Sequence, residues 1–405
     1  MRWTIAALSL ALAGLAAAED WPGWRGPRGD GTSTETGLPV RWSAAGENVR
    51  WKAAVPGTGH SSPVVTGDRI FLTSCREETK GRLLLCYDRR DGKPLWERVV
   101  LTAPLEKKHQ FNSYASATPA TDGAHVWVSF FDKPRAVVAC YDVAGNKVWE
   151  KSPGEFHSVH GYCSPPILHN DLVILNEDQD DPGAFLVALD KATGDQRWRV
   201  ERPGVRSYCP PYIAEAAGRT QMVLSGSNHV TSYDPETGKQ LWQIDGPTEQ
   251  FVASFVLHDG LFFMTGGFPE RHVLAIRPDG SGDVTHTHIA WRTRHGAGYV
   301  PSPVAWDHHV FLVNDDGVVT CWEAKTGKEC WQKRLGRRHH ASPVAADGHL
   351  YFTDIEGLTH VLKAGPTYEL VATNAFGEEC SASPAVSGGN LFYRTAHHLW
   401  CIGQP

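Results

Sequence analysis

The sequence has 405 residues, of which 41% are hydrophobic and 21% charged, with a formal net charge of −6. That apolar fraction is ample for a core and excludes a disordered chain. The mild acidic balance gives no electrostatic footprint for nucleic acid or an anionic membrane. Fifteen Trp against three Met, with 40 Gly and 26 Pro, points to many short strands joined by tight turns.

The chain opens with a basic Arg2, an apolar stretch from Ile5 to Leu15, and the small residues Ala16, Ala17 and Ala18 before Glu19 and Asp20. This order predicts a signal peptide over residues 1–18 and a mature protein that is periplasmic or secreted. The apolar stretch is too short for a permanent membrane helix, so no transmembrane segment is expected. With no Cys near the cleavage site, no lipid anchor is expected either. Residues 19–47 form a Trp- and Gly-rich extension, and residues 48–405 form the repeat domain.

Self-similarity decides the expected fold. A Ser-Pro-like step recurs at Ser62-Pro63, Thr118-Pro119, Ser164-Pro165, Cys209-Pro210, Ser302-Pro303, Ser342-Pro343 and Ser383-Pro384, with Ser254-Phe255 filling the remaining place. Successive gaps are 56, 46, 45, 45, 48, 40 and 41 residues. Each step precedes an apolar run, a turn and an alternating run such as Arg69–Thr73. A third strand then ends in an acidic turn followed by Gly and Trp.

That last piece reads Cys86-Tyr87-Asp88, Gly92-Lys93 and Trp96 in the first unit. It recurs at Cys140–Trp149, Ala188–Trp198, Ser232–Trp242 and Cys321–Trp331, and degenerates at Ala275–Trp291 and Leu362–Leu370. The acidic side chain can accept turn N–H groups, Gly supplies positive φ, and Trp is large enough to fill the space between neighbouring sheets. These Trp residues are therefore expected to be structural. Four strands per repeat of about 45 residues predict an all-β, eight-bladed β-propeller of four-stranded antiparallel blades. The last unit is one strand short, and Asn48–Val55 reads as a lone fourth strand. Pairing the two ends would close the ring and remove the open edge.

The Asp, Thr-Gly-Lys and Trp pattern at 188–198, 232–242 and 320–331 resembles the repeat of the PQQ-type β-propeller family. That family includes quinoprotein alcohol dehydrogenases and the outer-membrane assembly scaffold BamB. The opening Asp20-Trp21-Pro22-Gly23-Trp24-Arg25-Gly26-Pro27 resembles that of exported PQQ-like propellers of uncharacterised role. The dehydrogenase branch implies a quinone beside Ca²⁺, a catalytic carboxylate, a vicinal disulfide and a stacking Trp. The nine cysteines of this chain include no adjacent pair, and no motif matches the calcium ligands, so no catalytic or metal-ligating residue is carried over. The scaffold branch implies a protein partner.

Independently of family, the segments before the Ser-Pro steps carry groups that bind ligands. The candidate binding residues are His60, Tyr114, His160, Tyr162, Tyr208, Tyr299, Arg338 and His340, accompanied by His157, Cys163, Arg206, His295, His339, Glu378 and Glu379. If each step opens an innermost strand, these residues meet at one mouth of the central channel. A polar, hydrated channel lining is the plain alternative. Elsewhere, Asn176–Asp181 is expected to be a solvated turn, and Asn314–Gly317 a hairpin turn. His286 and His288 are expected on one face of a strand. Cys321 and Cys330 flank one hairpin and are a candidate disulfide, and Cys163 and Cys209 are a second candidate across neighbouring blades.

The expected function is a non-catalytic, exported binding or protein-interaction scaffold, with a protein or small molecule at the rim. The alternative is a PQQ- or metal-dependent periplasmic oxidoreductase using the same mouth, with PQQ and calcium as its implied cofactors.

Overall fold

A computed structural model describes residues 18–180 and 182–404. The expected signal peptide, apart from Ala18, lies outside the described residues. Among those described, every regular element is a strand, and none is a helix long and apolar enough to cross a membrane.

The strands form eight antiparallel four-stranded sheets. The first blade runs Val64–Thr66, Arg69–Arg76, Gly81–Asp88 and Pro94–Thr102. Each Ser-Pro-like step opens the first strand of its blade, and first strands of neighbouring blades touch, as Val64–Thr66 does with Ala120–Thr121 and Ala385–Ser387. They therefore line the channel, and the architecture is an eight-bladed β-propeller. Two blades gain a short parallel strand, Thr32–Ser33 beside Val344–Ala346 and Gly282–Asp283 beside Gln240–Asp245.

Second and third strands are covered on both faces by neighbouring blades, so Gly81–Asp88 and Leu172–Glu177 are buried at every position. Fourth strands face solvent and bury mainly their Trp, as in Lys147–Lys151 with Trp149. The indole N–H of that Trp reaches the turn of the next blade: Trp51 to Arg89 O (3.0 Å), Trp96 to Val143 O (3.1 Å), Trp149 to Lys191 O (2.8 Å) and Trp198 to Pro235 O (3.0 Å). Its ring lies on the turn glycine, where an added Cβ at Gly92, Gly145, Gly194 or Gly327 would fall 2.5–2.9 Å from the indole. Glycine is thus required twice, for its positive φ and for this contact. Trp242 is the exception. It bonds Gln221 Oε1 at 2.7 Å, because the next blade carries the degenerate turn.

The ring closes between the chain's two ends. Val49–Ala54 pairs antiparallel with His398–Gly403, from Val49 opposite Ile402 to Ala54 opposite His398. Glu378 fastens the joint. It accepts Lys52 Nζ at 2.8 Å and Thr395 Oγ1 at 2.8 Å, with His398 Nδ1 at 2.6 Å. Lys52 also sits 4.2 Å above the Trp400 ring.

The extension packs into this ring. Trp21 exchanges backbone hydrogen bonds with Val65 (2.8 and 2.9 Å), Pro22 O accepts Thr121 N at 2.8 Å, and Gly31 O accepts Ala345 N at 2.9 Å. The buried Arg25 guanidinium donates to the carbonyls of Asp30 and Pro303. These contacts span first strands of several blades, so the segment crosses the channel and sets Trp24 at the foot of the cavity above it.

Two sequence expectations are corrected. His286 and His288 lie in a turn whose N–H groups at 287 and 288 bond Val284 O, not on a strand. Asn176–Gln179 is buried rather than solvated, because each group meets a specific partner. Asp178 takes a bidentate bond from Arg202 (2.7 and 2.9 Å), Glu177 accepts the Tyr162 hydroxyl (2.7 Å), and Asn176 donates to Cys209 O (3.0 Å).

Candidate functional site

The segments before the Ser-Pro steps come together above the first strands, around a cavity of about 540 Å³. Every blade contributes to its wall. The steps themselves form a collar in which a backbone N–H donates to the hydroxyl of the next blade. Ser254 donates to Ser302, Ser302 to Ser342, Ser342 to Ser383, Ser383 to Ser62 and Ser62 to Thr118, all at 2.9–3.1 Å. This explains why a small hydroxyl residue recurs there: its backbone and side chain tie adjacent blades around the channel.

Of the eight candidate residues, His60, His160, Tyr208, Tyr299 and His340 line the cavity. The other three stand outside its wall. Tyr114 lies beneath Arg82 and Lys108, at 5.4 and 5.1 Å from its ring. Tyr162 is buried against Phe131 and Phe156, with its hydroxyl on Glu177. Arg338 is exposed to solvent and sits 5.1 Å over the Phe111 ring. His295 turns outward to Glu329 (3.1 Å), His339 is fully buried, and Glu378 serves the ring closure.

The structure adds His109, Phe111, Asn112, Gln250, Phe268 and Trp24 to the wall. The first three lie in the connection between the first two blades. Its 56-residue gap, the longest of the series, is the sequence signal for that excursion. Phe111 crosses to His340 (ring centroids 4.8 Å), His109 contacts Phe111 (4.7 Å) and His160 (5.4 Å), and His160 contacts Tyr208 (6.3 Å). One arc of the wall is therefore a run of rings. The opposite arc is a polar relay in which Arg206 donates to Asp180 (2.6 Å) and to Gln250 (2.8 Å), and Gln250 donates to the Tyr299 hydroxyl. Two large apolar side chains, Val159 and Phe268, are about half exposed beside this mouth.

Burial, aided by the Arg394 cation, drives His60 down to about 4. Burial also lowers His160, with Arg206 adding to the effect, and lowers His340. These imidazoles are neutral at pH 7 and can each both donate and accept a hydrogen bond. Burial lifts Tyr299 to about 12 and Cys163 to about 12, so neither ionises near neutrality. Behind the wall, burial outweighs the Tyr162 hydrogen bond and raises Glu177 to about 8.

Among the described residues that line the cavity, Arg206 is the one formally charged side chain and none is Asp or Glu; Asp180, which accepts from Arg206, is not part of the lining. A calcium ion takes six to eight oxygen ligands, carboxylates prominent among them. This wall offers imidazoles, hydroxyls and amides instead, and does not fit a calcium-bound quinone with an adjacent carboxylate base. Among the described residues, no group of three or more His, Cys, Asp or Glu is arranged to hold a metal ion.

The fold and sequence have known counterparts. BamB from Moraxella catarrhalis superposes with a TM-score of 0.61 at 13% identity, covering 86% of this chain and 98% of that one. Quinohemoprotein alcohol dehydrogenase from Comamonas testosteroni gives 0.68 at 12% identity, covering 95% and 81%. A polyvinylalcohol dehydrogenase from a Pseudomonas species is 22% identical over 339 residues, 67% of this chain. The chain spans about half (51%) the length of that relative. The family model described as outer membrane protein assembly factor BamB matches overlapping segments from residue 31 to residue 401. With nearly the whole repeat region matched, the chain belongs to this PQQ-type β-propeller family.

Proposed function

We propose that this chain is an exported, non-catalytic propeller whose channel mouth binds a small molecule or a side chain presented by a protein partner. The observation that carries this reading is the cavity itself. Its volume lies in the range of small-ligand sites, with aromatic walls and convergent hydrogen-bonding groups from every blade. Among the described residues, its lining presents neither a carboxylate base nor a metal-holding group, which a quinone-calcium dehydrogenase would use. Val159 and Phe268 at the mouth supply the apolar contact that a partner surface needs. Export accords with the N-terminal sequence.

The similarity to a polyvinylalcohol dehydrogenase favours one competing reading, a periplasmic quinoprotein oxidoreductase. A single set of measurements separates the two. The purified chain is mixed with PQQ and Ca²⁺, and its thermal midpoint, its absorption spectrum and dye-linked oxidation of polyvinyl alcohol are recorded. An unshifted midpoint and no dye reduction support the scaffold. A stabilised quinone complex with turnover, lost when His60, His160 and His340 are together replaced by Ala, overturns it. Far-UV circular dichroism of that triple variant confirms that the blades stay folded.

A further inference from the structure

Cys321 lies in the third strand of the sixth blade, Val318–Glu323, and Cys330 in the fourth, Glu329–Arg334. Cys321 stands opposite Trp331, and Trp322 opposite Glu329, so the register slips by one residue and Cys330 is the extra one. A β-bulge of this kind sets two residues of one strand against one of the other. Cys330 is thereby brought alongside Cys321. The two share one apolar cluster with Phe311 and Trp331; the Cys321 thiol donates to Gly365 O at 3.7 Å and the Cys330 thiol to Lys328 O at 3.9 Å, and Cys330 adds to the burial that raises the Cys321 thiol. Cys321 is fully buried, whereas Cys330 is partly exposed.

We propose that Cys321 and Cys330 form a reversible disulfide, a redox modification site that staples the outer strand of the sixth blade to its neighbour. The inference is independent of what the channel mouth binds. The oxidant is a small-molecule disulfide. The Cys330 thiol loses its proton, and its sulfur attacks one sulfur of the oxidant. The oxidant's S–S bond breaks, releasing one thiolate that takes up the proton, and a mixed disulfide remains on Cys330. The Cys321 thiol then loses its proton and attacks the Cys330 sulfur. This step expels the second thiolate, which is protonated in turn. Two protein thiols are oxidised by two electrons, and one disulfide is reduced to two thiols. The order follows from access: Cys330 meets solvent, while burial raises the Cys321 thiol and keeps it as the resolving partner. The staple would close beside Trp331, whose indole bonds Gly365 O of the seventh blade at 3.1 Å, so oxidation would stiffen a contact between blades.

The test uses the folded, fully reduced chain incubated with oxidised glutathione. Remaining thiols are then alkylated, and the protein is digested and mapped by mass spectrometry without reduction. The expected result is a cross-linked peptide joining Cys321 to Cys330, a mass about 2 Da lower, and a thiol titre two below the nine of the sequence. Cys321→Ser should trap glutathione on Cys330, and Cys330→Ser should prevent both adduct and cross-link. Circular dichroism of each variant establishes that it is folded. The inference is overturned if the folded wild-type chain keeps both thiols, if the adduct on Cys330 is never resolved by Cys321, or if either cysteine pairs elsewhere.

Discussion

The contact between each Trp and the next blade's turn glycine can be dissected quantitatively at Trp149 and Gly194. Gly194 adopts φ +74°, and a Cβ added there would lie 2.6 Å from Trp149 Cε3 and 2.7 Å from Lys151 Cγ. The indole cannot simply move aside, because its N–H is held by Lys191 O at 2.8 Å. A left-handed backbone costs a non-glycine residue about 1–2 kcal/mol, and overpacking adds about 1–3 kcal/mol. Gly194→Ala should therefore destabilise by roughly 2–5 kcal/mol. Gly218 isolates the backbone contribution, since it has φ +75° and no atom within 4 Å of its added Cβ. Gly218→Ala should cost only about 1–2 kcal/mol. Trp149→Ala, truncating a side chain that is 8% exposed, should cost about 3–5 kcal/mol. In the double variant the new methyl enters the space the indole leaves, so the losses should fall short of additivity by about 1–3 kcal/mol. Urea unfolding followed by far-UV circular dichroism, with unchanged slope, measures all four. Equal costs at Gly194 and Gly218, or a strictly additive double variant, would refute the argument that the indole is what demands glycine.

Two further outcomes follow from buried and bridging charges. Replacing Asp178 by Asn removes the carboxylate that faces Arg202 and leaves a buried guanidinium without its counter-charge. A loss of about 3–5 kcal/mol is expected in chemical denaturation. Glu378 governs an acid limb. Desolvation alone would raise its pKa, but hydrogen bonds from Lys52, His398 and Thr395 outweigh it and hold the carboxyl at about 2, against an ordinary 4.5. A depressed carboxylate contributes its stability above the ordinary value and loses it as pH falls from about 4.5 to about 2. Glu378→Gln should lower the thermal midpoint at pH 6 and flatten its decline in that acid window. An unchanged acid limb would show that Glu378 does not hold the ring closed.

Most of the architecture was legible in the sequence because a propeller writes its physics locally. The Ser-Pro steps, the Asp and Gly turns and the Trp of each fourth strand recur at fixed offsets, and each obeys a short-range rule. The missing strand at the C-terminus and the spare one at Asn48–Val55 therefore fixed both blade count and closure. What no offset carries is the direction of a side chain in an irregular segment. Tyr162 and His160 are two residues apart, yet one packs into a core with Phe131 while the other faces the cavity. Asn176–Gln179 reads as a polar turn, and is buried only because Arg202, Tyr162 and Cys209 O reach it from other parts of the chain.

The sequence alone thus determined the repeat, its number, the closing strand and the structural role of the Trp residues. The tertiary structure decided the wall of the mouth. Phe111 meets His340 from opposite ends of the sequence, Gln250 joins Arg206 to Tyr299, and Trp24 arrives from the N-terminal extension. A strand's backbone periodicity is local and can be read along the chain. A cavity formed by loops from eight blades is a property of the closed ring, and its chemistry exists only once distant segments have been brought face to face.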